Sequence, residues 1–169
     1  MFLVFINDMP NCLDFLSILF ADDTSYLLTD ASLPKLIERT NAELLKADSW
    51  FQSNKLTLNI SKTKYIIFSP KGIFHSLDNQ VVVGKEVVER IGSKCNTKNF
   101  KLVGILLDDK LEWDHQIRHV KNKLASCSYA LRSLKSLLPT SIKLMMYNSL
   151  FRSHLDYGLQ IWGVLVPLT

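Results

Sequence analysis

Leu16-Ser-Ile-Leu-Phe-Ala-Asp-Asp-Thr-Ser-Tyr-Leu-Leu28 is the stretch that decides how this chain is read. Leu16 to Phe20 is a short apolar run, Ala21-Asp22-Asp23 interrupts it, and Thr24 to Leu28 is strand-like again. Two short strands around a polar pair predict a tight hairpin. The turn lacks the Asn-Gly or Asp-Gly that hairpins favour, so turn chemistry alone gives no reason for two acidic residues there. Metal chemistry does. Hard cations such as magnesium take carboxylate oxygens, and phosphoryl transfer can use two divalent ions about 4 Å apart. A hairpin tip fixes such carboxylates, flanking apolar strands keep their surroundings dry, and like-charge repulsion makes a bound cation favourable. A bare Asp-Asp, however, also reads as an exposed turn, and Asp108-Asp109 repeats it further along. Context has to decide.

After the hairpin comes a helix. Asp30 or Ser32 can cap it and Pro34 suits its first turn. Leu33, Leu36, Ile37, Thr40, Leu44, Ala47 and Phe51 follow helical spacing, with Glu38, Arg39, Glu43 and Lys46 elsewhere, and the helix should stop near Ser53-Asn54. Leu56 to Ile60 alternates with polar residues, Tyr65 to Phe68 has a buried-strand pattern, and Ser69-Pro-Lys-Gly72 breaks it. Val81 to Val88 predicts a hairpin turning on Gly84-Lys85, and Phe100 to Leu107 another strand. A single sheet fed by several short strands, with one helix packed on it, is expected.

The character changes after Asp108-Asp109. Ile117, Val120, Leu124, Cys127, Leu131, Leu134 and Leu138 alternate spacings of 3 and 4, a narrow apolar stripe on one long helix. Pro139-Thr140 should end it and cap a helix from about Ser141 to Tyr157, with Gly158 at its C-terminus. The fold class expected is α+β: an α+β layer over residues 1–109 followed by a helical subdomain over 110–169.

Charge follows the same division. Residues 1–34 carry five Asp and no Lys or Arg, while all 20 basic residues lie further on. From 115 to 155 there is no acidic residue against seven Lys and Arg. A basic body behind an acidic head suits a polyanion-binding surface beside a cation site; a merely solubilising surface is the plainer alternative. The 169 residues, 47% of them hydrophobic, suffice for a core. Cys12, Cys95 and Cys127 are too far apart for zinc and are expected to be reduced thiols of an intracellular protein, in nucleus or cytoplasm. The apolar start, Met1 to Ile6, has no basic flank or cleavage site and is broken by Asn7, Asp8 and Pro10, so no signal peptide is expected. No run of about 20 apolar residues predicts a membrane span. The bare apolar opening suggests a piece of a longer protein.

Phe20-Ala-Asp-Asp-Thr24 resembles the aromatic-Ala-Asp-Asp box of reverse transcriptases. Phe2 to Pro10 resembles the segment after the family's glutamine-glycine-serine box in non-LTR retrotransposons. Trp50, Asn54 to Thr63 and Phe68 are similar to the family's next element. Gly104 to Asp108, Leu111 and Trp113 are similar to the element that grips the primer. Tyr129 to Lys135 and Ser153 to Gly163 resemble the thumb of LINE-type elements of the Jockey and CR1 kind. The resemblance covers essentially the whole chain.

It implies that 1–109 is the later part of a right-hand polymerase palm and 110–169 an incomplete all-helical thumb. Asp22 and Asp23 would be the catalytic, metal-binding pair, holding Mg2+ ions of which the intact enzyme uses two. Lys62 would lie near the triphosphate of an incoming dNTP, with Asn59 and Thr63 shaping its loop. Gly104 would let backbone approach the primer strand, and Arg118, Lys121, Arg132 and Lys135 would track the phosphates of an RNA–DNA hybrid formed by RNA template and DNA primer. Trp113 and His115 would pack the joint between palm and thumb. The family also needs a further aspartate on an upstream strand, fingers residues and the glutamine-glycine box, which this chain lacks. The isolated chain is therefore expected not to polymerise DNA. A nucleic-acid-binding relic without catalysis is the alternative.

Overall fold

The computed structural model describes residues 4, 6–69, 80–92, 94–134 and 136–163. The chain forms two compact units, Met1–Ile91 and Gly92–Thr169, and each is taken by itself. The structure is mixed α and β, and the described strands form four two-stranded sheets rather than one continuous sheet.

In the first unit a 3-10 turn (Met9–Cys12) leads into β1 (Leu16–Phe20) and β2 (Asp23–Leu27), an antiparallel hairpin in which Phe20 pairs with Asp23 and Leu16 with Leu27. Period-two alternation turns Leu19 and Tyr26 toward the core. Phe15 stacks on Tyr26 with centroids 4.9 Å apart, and burial pushes the Tyr26 phenol up to about 12.

Helix α1 (Leu33–Ser53) has the extent its pattern predicts. Ser32 is the N-cap residue, but its hydroxyl accepts no capping hydrogen bond. Asp30 instead accepts the Ser32 N–H at 3.0 Å and pairs with Arg39 at 3.1 Å. Ile37, Leu44 and Ala47 are buried against Met9, Leu13, Phe15, Val81, Val83 and Val88. Each large aliphatic side chain buried there stabilises by roughly 1.5–3 kcal/mol.

Leu56 to Asn59 forms no strand, and β3 (Lys64–Ile66) pairs with β6 (Glu89–Ile91) in parallel, with Lys64 and Glu89 joined by an ion pair. Between them β4 (Val82–Val83) and β5 (Glu86–Val87) make the expected small hairpin on Gly84-Lys85, with Gly84 at φ +60°. The break predicted at Ser69-Pro70 falls partly outside the described residues.

In the second unit the strand expected from Phe100 to Leu107 is a hairpin, β7 (Asn99–Leu102) and β8 (Ile105–Asp108). The cause is local: Val103 and Gly104 both take positive φ, +44° and +87°, the pattern of a two-residue type I′ turn. Helix α2 (Asp114–Ser133) stops a turn earlier than its apolar stripe suggests, because the Leu137 and Leu138 N–H groups fold back on the Leu134 carbonyl.

Helix α3 (Thr140–Met146) starts from Pro139 without a side-chain cap. A π-helical segment (Tyr147–Arg152) follows, then α4 (Ser153–Asp156). A π turn frees a carbonyl, and Cys127 Sγ donates to that of Leu150 at 3.5 Å. Gly158 takes φ +67° and α5 (Leu159–Trp162) closes the described chain. Ile105, Trp113, Val120 and Trp162 are the buried core here, with Ile117 and Leu124 packed against them.

Candidate functional site

Ala21 and Asp22 are the two loop residues of the β1–β2 hairpin, and Asp23 opens β2. Ala21 sits at φ +53°, a left-handed conformation that costs a non-glycine residue about 1–2 kcal/mol. Asp22 and Asp23 are both exposed, and their carboxylates make no hydrogen bond or ion pair among the described residues. Alternation puts Asp23 on the same face as Phe20, Ile18, Leu16 and Leu27, which are 51–64% exposed. The dry flanks expected from the sequence are therefore open to solvent. A two-stranded hairpin buries one face only, and the face toward the core carries Leu19 and Tyr26.

Adjacent carboxylates suit a hard cation in donor type. They do not complete a two-metal centre: no group of three His, Cys, Asp or Glu that could hold a metal is found among the described residues. No catalytic step is derived from this pair alone. Lys62 lies in the same unit, in a turn where its N–H donates to the Asn59 carbonyl at 3.1 Å. Asn59 Oδ1 accepts from Ser61, and Thr63 Oγ1 donates back to the Asn59 carbonyl at 2.9 Å. Asn59 and Thr63 thus shape the loop and leave the Lys62 ammonium exposed.

The remaining predicted site residues belong to the second unit. Gly104 has a structural occupation of its own. A Cβ there would meet Tyr157 Cε1 at 3.1 Å, and the Tyr157 hydroxyl donates to the Val103 carbonyl at 2.5 Å. Arg118, Lys121 and Arg132 are exposed on α2, and their side chains make no ion pair or hydrogen bond among the described residues. At 100° per residue they lie within about 60° of one another, on the face turned away from buried Val120 and Gln116, and span about 21 Å of axis at 1.5 Å per residue. Lys135 lies outside the described residues. Trp113 is buried in the core, at φ +65° where α2 begins; His115 makes no side-chain bond among the described residues.

Three groups escape the sequence reading. Glu43, expected on the polar side of α1, is buried. It accepts the Asp14 N–H at 2.8 Å and the Lys46 ammonium at 2.6 Å, and that ammonium holds its carboxyl below the usual range. Its spacing of three from Thr40 and four from Ala47 was the available signal. Asp108 is buried too, and accepts the N–H groups of Lys110, Glu112 and Trp113. Its three bonds hold the loop that leads into α2, so this copy of Asp-Asp has a structural use. Third, His119 is acted on electrostatically by Lys123, Lys101 and His154; partial burial first, then these neighbours, pull its pKa down. Only Lys123, four residues along the same helix, could have been foreseen.

No protein-family model matches the chain, and neither a curated protein nor a solved structure matches it.

Proposed function

We propose that this chain is part of an RNA-directed DNA polymerase of the non-LTR retrotransposon kind, with residues 1–109 belonging to the palm and 110–169 to the thumb. In the complete enzyme its partners are an RNA template, a DNA primer and dNTP, with two Mg2+ ions. The observation that carries this reading is the β1–β2 tip, where a strained Ala21 precedes two adjacent carboxylates without partners. Backbone strain kept at a loop tip goes with function, and two unneutralised carboxylates favour a cation. The unpaired basic face of α2 supports a polyanionic partner. The family's metal centre takes a further aspartate from another strand, so the chain by itself should not extend a primer.

The alternative, nucleic-acid binding without catalysis, is favoured by the same basic face standing free of carboxylates. Anisotropy of a labelled RNA–DNA hybrid tests the partner. Binding should weaken with salt, with a log–log slope of about −2 to −3 for three contacts, and Arg118→Gln, Lys121→Gln and Arg132→Gln should each flatten that slope. No binding in 50 mM salt, or binding indifferent to salt, would sink both readings. Asp22→Asn with Asp23→Asn separates them: lost Mg2+ dependence of hybrid binding supports the polymerase centre, and an unchanged titration supports binding alone.

A further inference from the structure

Helix α2 is basic on two faces. Arg118, Lys121 and Arg132 lie on the face turned away from its buried stripe; His119 and Lys123 lie beside the stripe, four residues apart and so on one face. That second face is joined by Lys101 from β7 and His154 from α4, both of which act electrostatically on His119. Gln116 fixes the strand side of this arrangement, since its Oε1 accepts the Leu106 N–H of β8, and Lys101 is the cross-strand partner of Leu106.

None of the four side chains makes a hydrogen bond or ion pair among the described residues. The nearby Arg152 and Asp156 neutralise each other at 3.0 Å. Every charged group acting on His119 is a cation or a histidine: Lys123 from its own helix, Lys101 from β7 and His154 from α4. Lys123 from α2 and Lys101 from β7 are two cations acting on one imidazole, and like charges brought together repel one another unless an anion is present.

We infer that Lys101, His119, Lys123 and His154 form a phosphate-binding site that tightens as His119 takes up a proton. Lysine supplies a point charge for phosphate, and protonated imidazole adds two donors. Partial burial and the nearby lysines hold His119 below its ordinary value, so its ring is uncharged at neutral pH while Lys101 and Lys123 attract the anion. A bound phosphate reverses the repulsion, favours protonation of the His119 ring, and so couples binding to proton uptake. The site stands without the polymerase reading, and its ligand is the phosphate group, whether free or in a nucleic-acid backbone.

The test is NMR of the His119 and His154 rings in the full chain, with tripolyphosphate as one probe and a 12-base-pair RNA–DNA hybrid as the other. Tripolyphosphate should shift both rings saturably and raise the His119 titration midpoint. Affinity should rise as pH falls from 7.5 to 5.5, by up to about one log unit per pH unit for the proton taken up. Lys101→Gln with Lys123→Gln should weaken binding about tenfold at pH 6, and Lys101→Arg with Lys123→Arg should retain it. Hybrid shifting the same rings identifies backbone phosphate as the source, and tripolyphosphate alone shifting them identifies free phosphate; either supports the site. Rings that move with neither probe overturn it, even if hybrid binds elsewhere on the chain.

Discussion

The loop from Asp109 to Trp113 should depend on one carboxylate. Leu111 and Trp113 both hold positive φ, +54° and +65°, at a cost of about 1–2 kcal/mol each for non-glycine residues. Such a conformation persists only where its surroundings over-determine it. Asp108 does this: Oδ1 accepts from Lys110 and Glu112 at 3.0 and 3.1 Å, and Oδ2 from Trp113 at 3.3 Å. Only the Trp113 bond is fully buried. Truncation to Ala leaves that N–H unpaired, at about 1–3 kcal/mol, and gives the other two N–H groups to water, at about 1 kcal/mol each. Asp108→Ala should therefore destabilise the second unit by about 4 kcal/mol. Asp108→Asn keeps an oxygen for Lys110 and Glu112 but turns an NH2 toward the Trp113 N–H, and should cost about 2 kcal/mol. The assay is urea unfolding by tryptophan fluorescence in a Trp50→Phe background, where Trp113 and Trp162 both report the second unit. Losses under about 1 kcal/mol for both variants, or Asn costing more than Ala, would refute the reasoning.

Gly104→Ala should lower the same unfolding free energy by about 2 kcal/mol, from its φ of +87° and the approach of a new Cβ to Tyr157. Tyr157→Phe removes the bond to the Val103 carbonyl and should cost about 1 kcal/mol; because the residues touch, the pair should add less than the sum. Glu43 gives a pH prediction for the first unit. Lys46 holds its carboxyl below the ordinary value, so its contribution is complete above an unfolded pKa of about 4.3 and is lost as pH falls through the lower folded one. The urea midpoint should fall between pH 5 and 3, and Glu43→Gln should reduce that slope; an unchanged slope would remove Glu43 as its cause.

Local patterns were legible where one periodicity governed the segment. Ile37, Leu44 and Ala47 gave α1 its buried face, and Gly84-Lys85 gave a hairpin because glycine accepts positive φ without cost. Val103-Gly104 was harder to read, because valine at φ +44° breaks the local preference and hides a turn inside an apolar run. The α2 stripe extended past the true end because leucines at 134 and 138 continue the spacing in a turn. Among site residues, the adjacency of Asp22 and Asp23 on a hairpin was readable, but their open surroundings depend on which face of two strands is covered. Glu43 and the His119 cluster draw on partners 29 and up to 35 residues away, Asp14 for Glu43 and His154 for His119, whereas Asp108 bonds N–H groups two to five residues along, in a loop that no periodicity marks.

The metal position proposed at the β1–β2 tip is tested most directly with paramagnetic Mn2+ as a substitute for Mg2+. In a two-dimensional 1H–15N spectrum of the full chain, sub-millimolar Mn2+ should broaden the amides of Phe20 to Thr24 first, and Asp22→Asn with Asp23→Asn should abolish that selectivity. Broadening spread over the acidic surface, centred on Asp108 to Asp114, or unchanged in the double variant would contradict the proposal.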